Sequence, residues 1–207
     1  VNAVKEDCRY VVTFEGVTKH KGEDWVLVLV ENVFKLRNLT GLADEEFPIK
    51  ASLTGYTEIG NLPEFVHLKV NEQKIRPTEA KTVEKRSLDY KVKLPAERNT
   101  RITVSLAMRL AYPTSYYETF PTSKAPIEDL SVFVENRIPA VVGGFRLEVM
   151  HPHFEEIENT SPLSWRFRKV LLPGQGFVLM WQKQSAAEIA LPADSVDRNH
   201  PKDSTPE

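Results

Sequence analysis

Hydrophobic and polar positions alternate most strictly between residues 86 and 110. The rhythm runs to residue 94, breaks at the polar link of residues 95–99, and then resumes. A period of two is that of a β-strand with one face buried and the other in water. The stretch therefore predicts two antiparallel strands and an all-β protein, with these side chains on the buried faces: Leu88, Tyr90, Val92, Leu94, Ile102, Val104, Leu106, Met108 and Leu110.

Similar segments follow one another along the rest of the chain, about ten in all, with turn signals between them and hardly any helical periodicity. Residues 25–30 are apolar on both faces, which predicts a central strand covered on both sides. Residues 165–172 and 177–181 flank the link of residues 173–176 and are expected to form a hairpin. Together these features favour an antiparallel β-sandwich. Two small stacked β-sandwiches or a flattened barrel remain the alternatives.

The chain is long enough for one large β-domain, which we place at residues 1–184. Residues 185–207 are polar and contain proline, and we expect a disordered tail there. The first residues lack the basic segment and apolar core of a signal peptide, and there is no initiator methionine. We therefore expect the chain to be a soluble part of a longer protein.

The charge balance and the cysteine content restrict the expected classes of binding partner and the expected cellular compartment. The 29 acidic and 27 basic residues leave no basic excess, which makes nucleic acid an unlikely partner. Cys8 is the single cysteine, so no intrachain disulfide can form, and a cytoplasmic location is favoured without excluding an extracytoplasmic one. No apolar run reaches the roughly 20 residues that a membrane helix needs.

An aromatic segment, residues 112–120, is expected to be a loop and is the first candidate site. Four aromatic side chains in nine residues exceed what a turn needs, and tyrosine is favoured in recognition loops. Arg109 lies just before the segment on the polar face of its strand. The alternative is that the loop plugs the end of the sandwich. The aromatic residues are Tyr112, Tyr116, Tyr117 and Phe120.

Arg166 and Arg168 form a second candidate site, together with Lys169. Trp165 and Trp181 are expected to flank this basic patch. Arginines interleaved with aromatic residues can bind nucleotides or other anions by stacking and phosphate pairing. The alternative is the wet face of an edge hairpin.

His151 and His153 form a third candidate, with Glu155 and Glu156 close behind. Two imidazoles on one strand face can be metal ligands, but Pro152 interrupts the strand, and the alternative is a solvated strand end. The link of residues 173–176 lacks the Gly-Lys-Ser/Thr ending of a phosphate loop. No cofactor is therefore predicted.

The sequence favours a non-enzymatic recognition module that binds a protein partner or a small ligand through the aromatic segment. A nucleotide or anion sensor coupled to a membrane or effector segment is the second hypothesis, and a metal-dependent enzyme is the third. A homodimer formed through exposed strand edges is a further expectation. In every hypothesis except the enzyme, we expect the binding residues in the connections between strands and not within the layers.

Overall fold

The computed structural model describes residues 2–42, 45–75, 81–83, 87–94, 96–97, 99–121, 125–150 and 157–185. These residues form strands and connections, and no helix occurs among them. The strands are β1 (Ala3–His20), β2 (Glu23–Asn38), β3 (Glu46–Ser52), β4 (Glu64–Val70), β5 (Gln73–Lys74), β6 (Lys81–Val83), β7 (Ser87–Lys93), β8 (Arg101–Pro113), β9 (Tyr116–Pro121), β10 (Leu130–Asn136), β11 (Val142–Val149), β12 (Ile157–Ser161), β13 (Ser164–Phe167) and β14 (Gly176–Lys183).

The strands form one large sheet and two small sheets. The large sheet has eight strands in the order β12-β13-β10-β1-β2-β8-β4-β5. The small sheets have the orders β11-β14-β9 and β3-β7-β6, and both pack on the same face of the large sheet. The prediction of an all-β, sandwich-like fold is confirmed. The pairs are antiparallel except β1 with β10, which is parallel.

The long hairpin of β1 and β2 forms the centre of the large sheet. Even-numbered residues of β2, from Val26 to Leu36, point into the buried layer, and they include Phe34 and Asn32. The odd-numbered Trp25, Leu27 and Leu29 are only half-buried on the outer face. The strand is thus central, but the expectation that it is covered on both sides was wrong, because the small sheets pack on one face alone.

The pairing of β1 with β2 shifts register between Phe14 and Gly16. A second shift lies between Glu6 and Arg9, where Asp7 adopts a φ of 47°. Such β-bulges turn the following side chains to the other face of a strand. The turn at Lys21 and Gly22 closes this hairpin.

Two short links carry the chain from one sheet to another and do not close hairpins. The link after residue 94 joins β7 of a small sheet to β8 of the large sheet. The link of residues 173–176 likewise joins β13 to β14, so the predicted closing hairpin was wrong. Gly174 has a φ of 88°, whereas Gly176 is needed for close approach: a Cβ there would collide with the carbonyl oxygen of Phe120.

Three predictions fall on parts of the chain that the structure does not describe. They are the histidine pair His151 and His153, the carboxylates Glu155 and Glu156, and most of the tail, residues 186–207. Within the described ranges, no helix is long and apolar enough to cross a membrane.

Candidate functional site

A cavity of about 360 Å³ lies between the large sheet and the two small sheets, and it is partly open to solvent. We call it the interlayer cavity. The large sheet lines one wall, mainly with Val30, Phe34, Leu106, Met108 and Leu110. Ligand cavities commonly measure about 300–1,000 Å³, with mostly apolar walls and a few polar groups. The interlayer cavity therefore has the size and lining of a small-molecule site.

The other walls come from the edges of two strands that do not meet. Residues 47–52 of β3 line one side, and residues 118–121 of β9 line the other. Each of these strands is an edge of its small sheet, paired on one side alone among the described strands. The cavity thus exists because the second layer is two separate sheets with a gap between them.

Lys5 is the most unusual residue of the cavity. Its side chain points inward, only 7% of the residue is exposed, and Nζ lies 4.0 Å from the centre of the Phe34 ring. Burial lowers the pKa of Lys5 to about 8, and the nearby Cys8 offsets part of that effect. It forms no ion pair with a described carboxylate. An ammonium group in this position lacks the anionic partner that buried charges normally have.

Tyr10 and Asn32 line the cavity beside Lys5. Burial raises the pKa of the Tyr10 phenol well above its usual range, so the group is a neutral hydroxyl. Asn32 is buried, and its Oδ1 accepts a weak bond from Cys8 Sγ at 3.6 Å. Burial also raises the pKa of the Cys8 thiol to about 12, which keeps this thiol protonated and poorly nucleophilic.

Glu118 and Tyr56 form a second polar group on the cavity wall. The Tyr56 hydroxyl donates a hydrogen bond of 3.3 Å to Glu118 Oε1. Burial raises the pKa of the Glu118 carboxyl, and burial together with this carboxylate raises the pKa of Tyr56 to about 12. The carboxyl already has a hydrogen-bond donor within the protein.

Tyr112 lies behind this second group, with its ring 5.9 Å from that of Tyr56. Its hydroxyl is close enough to Glu118 to lower the pKa of that carboxyl, but it has no hydrogen bond of ordinary geometry among the described residues. A buried polar group without a partner costs free energy. The Tyr112 hydroxyl is therefore expected to destabilise the folded protein.

We therefore expect Tyr112→Phe to raise the free energy of unfolding by about 1 kcal/mol, because the ring stays and the unpaired hydroxyl goes. Urea unfolding at pH 7 measures the change. A matched Tyr56→Phe variant, which loses a real hydrogen bond, should instead lose about 1 kcal/mol. A loss in the Tyr112 variant would show that its hydroxyl does stabilise Glu118.

The aromatic segment is strand and not loop, which corrects the sequence-based expectation. Tyr112 is the second-last residue of β8, residues 114 and 115 make the turn, and the remaining aromatic residues lie in β9. Tyr112 is buried and Phe120 is half-buried against the Tyr10 ring at 5.5 Å. Tyr116 and Tyr117 are 42% and 61% exposed, with their rings stacked 5.5 Å apart. The first two residues are thus core, and only the second two are available to a partner.

Arg109 lies on the outer face of the large sheet, away from the aromatic segment. It forms ion pairs with Glu15 at 2.9 Å and Glu64 at 2.7 Å. Its position is odd-numbered on β8, whereas Tyr112 is even-numbered and inward. The structure therefore does not bring Arg109 into a site with these tyrosines.

Arg166 and Arg168 are exposed on the large sheet, and each faces a carboxylate. Arg166 pairs with Asp129 at 2.7 Å, and Arg168 pairs with Glu158 at 3.0 Å. A shallow groove beside Arg166 also contains Arg9, Asp7 and Asp129, so its formal charges cancel. The expected aromatic flank is not formed there: Trp165 is buried, and Trp181 lies in another sheet.

A serine, a histidine and a glutamate meet on the outer face of the large sheet. Ser105 Oγ lies 2.9 Å from His67 Nε2 and donates to Glu31 at 3.1 Å. In a hydrolytic triad the carboxylate holds the ring nitrogen that does not face the serine. Here Glu31 lies 3.6 Å from the same Nε2, so the arrangement is a surface network. Among the described residues, no group of three or more metal-ligating side chains occurs.

Sequence reasoning missed Lys5, Asn32 and Glu118. Asn32 could have been found from the sequence, because it is a polar residue in an otherwise apolar series of inward positions on β2. Lys5 could not have been found in this way, because the bulge between Glu6 and Arg9 spaces the inward Lys5 and Cys8 three positions apart instead of two. A strict period of two fails at that point.

No protein-family model matches this sequence, and a search among curated proteins finds no match. Solved structures give weak similarities. A putative nutrient binding protein from Legionella pneumophila has a TM-score of 0.49 at 11% identity, over 87% of this chain and 67% of that chain. Aminopeptidase A from the same organism has a TM-score of 0.44 at 13% identity, over 87% of this chain.

An M1 zinc metallopeptidase from Deinococcus radiodurans has a TM-score of 0.45 at 10% identity, over 86% of this chain and 42% of that chain. The chain spans only about a fifth, 21%, of the length of the Legionella aminopeptidase A. At these TM-scores the similarities carry no inference about function. The fold and the interlayer cavity define an all-β layered module, and no family is assigned.

Proposed function

We propose that the protein is a non-enzymatic binding module that holds a small, largely apolar ligand in the interlayer cavity. The observation that carries the proposal is the cavity itself. About 360 Å³ of space lies inside the layers, with apolar walls from the large sheet and, at its sides, two strand edges that no described strand pairs with. Natural cores are packed nearly without voids larger than a water molecule, so a space of this size is typical of a ligand site.

The interlayer cavity lies within the layers and not in the connections between strands. Binding energy would come mainly from apolar contact with the large sheet, and the polar groups would fix the ligand's orientation. A non-enzymatic role is supported by the described polar groups. Cys8 stays protonated, the Ser105 network lacks the geometry of a triad, and the arginines of the sequence-based site are paired.

The test uses N-phenyl-1-naphthylamine, a neutral apolar dye whose fluorescence rises on burial. We expect saturable binding of one dye per chain. Met108 lines the cavity, and Met108→Trp fills part of it, so we expect dye affinity to fall at least tenfold. Titration of dye fluorescence at pH 7 measures both results.

The matched control is Leu29→Trp, which adds the same indole to the outer face of the same sheet. Leu29 is half-buried and lies outside the cavity lining, and dye affinity should stay within twofold of the parent. The proposal fails if the parent shows no saturable binding. It also fails if the outer-face variant loses as much affinity as the cavity variant.

A further inference from the structure

The charges that line the interlayer cavity do not balance, and this imbalance indicates the class of ligand. Three charged residues contribute to the lining: Lys5, Lys50 and Glu118. Lys50 is mostly exposed and pairs with Asp89 at 3.2 Å. Glu118 has the Tyr56 hydroxyl as a donor. Lys5 alone is both buried and without an ionic partner among the described residues.

We propose that the ligand is an apolar-bodied carboxylate whose anionic end pairs with the ammonium group of Lys5 in the interlayer cavity. The inference rests on the proposed function, since it needs the cavity to be a ligand site. A carboxylate accepts several hydrogen bonds through two oxygens. Tyr10 and Asn32 line the same cavity and offer it a neutral hydroxyl and an amide group.

The position of Lys5 explains why the ligand would supply the missing partner. An unpaired buried charge is costly, and a bound anion removes that cost in a medium where ion pairs are strong. In the free protein the ammonium group lies over the Phe34 ring, 4.0 Å from its centre, which is a weaker substitute for a carboxylate.

Lys5 and Glu118 line the cavity from different sheets: Lys5 lies on β1 of the large sheet, and Glu118 lies on β9 of a small sheet. Glu118 is not among the groups that shift the pKa of Lys5. The carboxyl of the protein therefore does not occupy the place of the ligand's anion.

The test compares two ligands of equal length, octanoate and octanol, as competitors of the bound dye at pH 7. We expect octanoate to displace the dye at a concentration at least tenfold lower than octanol does. In Lys5→Met, which is unbranched, one atom shorter and uncharged, we expect the two competitors to become equal within threefold. Dye binding should persist in that variant, because the apolar walls remain.

The matched control is Lys50→Met, which removes a charge from the cavity rim where Asp89 already compensates it. This variant should keep the preference for octanoate. The inference is overturned if the parent shows no preference, if Lys5→Met keeps it, or if Lys50→Met abolishes it. Absence of dye binding to the parent would count against the proposed function, whereas dye binding without a preference would count against this inference alone.

Discussion

Replacing Trp181 by alanine is expected to lower the free energy of unfolding by about 3–5 kcal/mol, the cost typical of removing a buried large aromatic side chain. Trp181 is 4% exposed and lies where β14 packs against the large sheet. Its ring lies 5.1 Å from Phe14 and 5.3 Å from Tyr112, both of the large sheet. Its Nε1 also donates to the carbonyl oxygen of Pro113 at 3.2 Å, and alanine would leave that oxygen without this donor.

Urea unfolding at pH 7 measures this loss, and a protein of this size should also melt roughly 6–20 °C lower. Tyr117→Ala is the control, since that ring is 61% exposed and touches mainly Tyr116. It should cost well under about 1 kcal/mol. Equal losses in the two variants would mean that this aromatic cluster does not join the layers.

Local alternation was enough to predict the strands, as β8 shows. The apolar positions of residues 102–110 do point into the layer, and the all-β class follows from them. Ser105, Ala107 and Ala111 on the other face are buried as well, because β8 lies between β2 and β4 in the large sheet. Burial on that second face depends on neighbours far away in sequence, which a local pattern does not contain.

The predicted closing hairpin was wrong because the length of a link does not decide which strands pair. A short link predicts a hairpin by its length, but the links after residue 94 and at residues 173–176 both cross from one sheet to another. Whether a link closes a hairpin or takes the chain to another sheet depends on which strand partner gives the better packed layer. The cavity results from this strand pairing, because it lies between β3 and β9, which do not pair with each other.

The candidate site was predicted only in part, for a related reason. Aromatic content correctly marked residues 112–120 as unusual, and Phe120 does line the cavity. The residues that carry its polar chemistry lie on other strands, far apart in sequence. Their convergence depends on the three-sheet arrangement and, for Lys5, on a bulge.

Lys5→Met is expected to raise the free energy of unfolding by about 3 kcal/mol at pH 7. The pKa of Lys5 is about 8 in the folded protein and near 10.5 when the chain is unfolded. Each unit of that difference is worth about 1.4 kcal/mol. Below pH 8 both states hold the proton and the folded state bears the full cost of the buried charge. Between pH 8 and 10.5 the unfolded state holds more protons, so stability rises with pH.

Titration of Cys8 changes the stability of the protein with pH in the opposite direction. The pKa of Cys8 is raised to about 12, so the folded state keeps a proton that the unfolded state loses above about pH 9, and stability falls as the pH rises further. The contribution of Lys5 is therefore measured in a Cys8→Ala background, between pH 8 and 10. Stability should rise there by about 2 kcal/mol, and adding Lys5→Met should flatten the profile.

The upper limit of pH 10 is set by the tyrosines. Burial raises the pKa of Tyr10 and of Tyr112, so ionisation of these residues in the unfolded state would reduce stability above that pH. A flat profile in the Cys8→Ala protein itself would show that the ammonium group of Lys5 is compensated in the free protein. The cavity would then have no unmatched positive charge, and the preference for a carboxylate ligand would lose its physical basis.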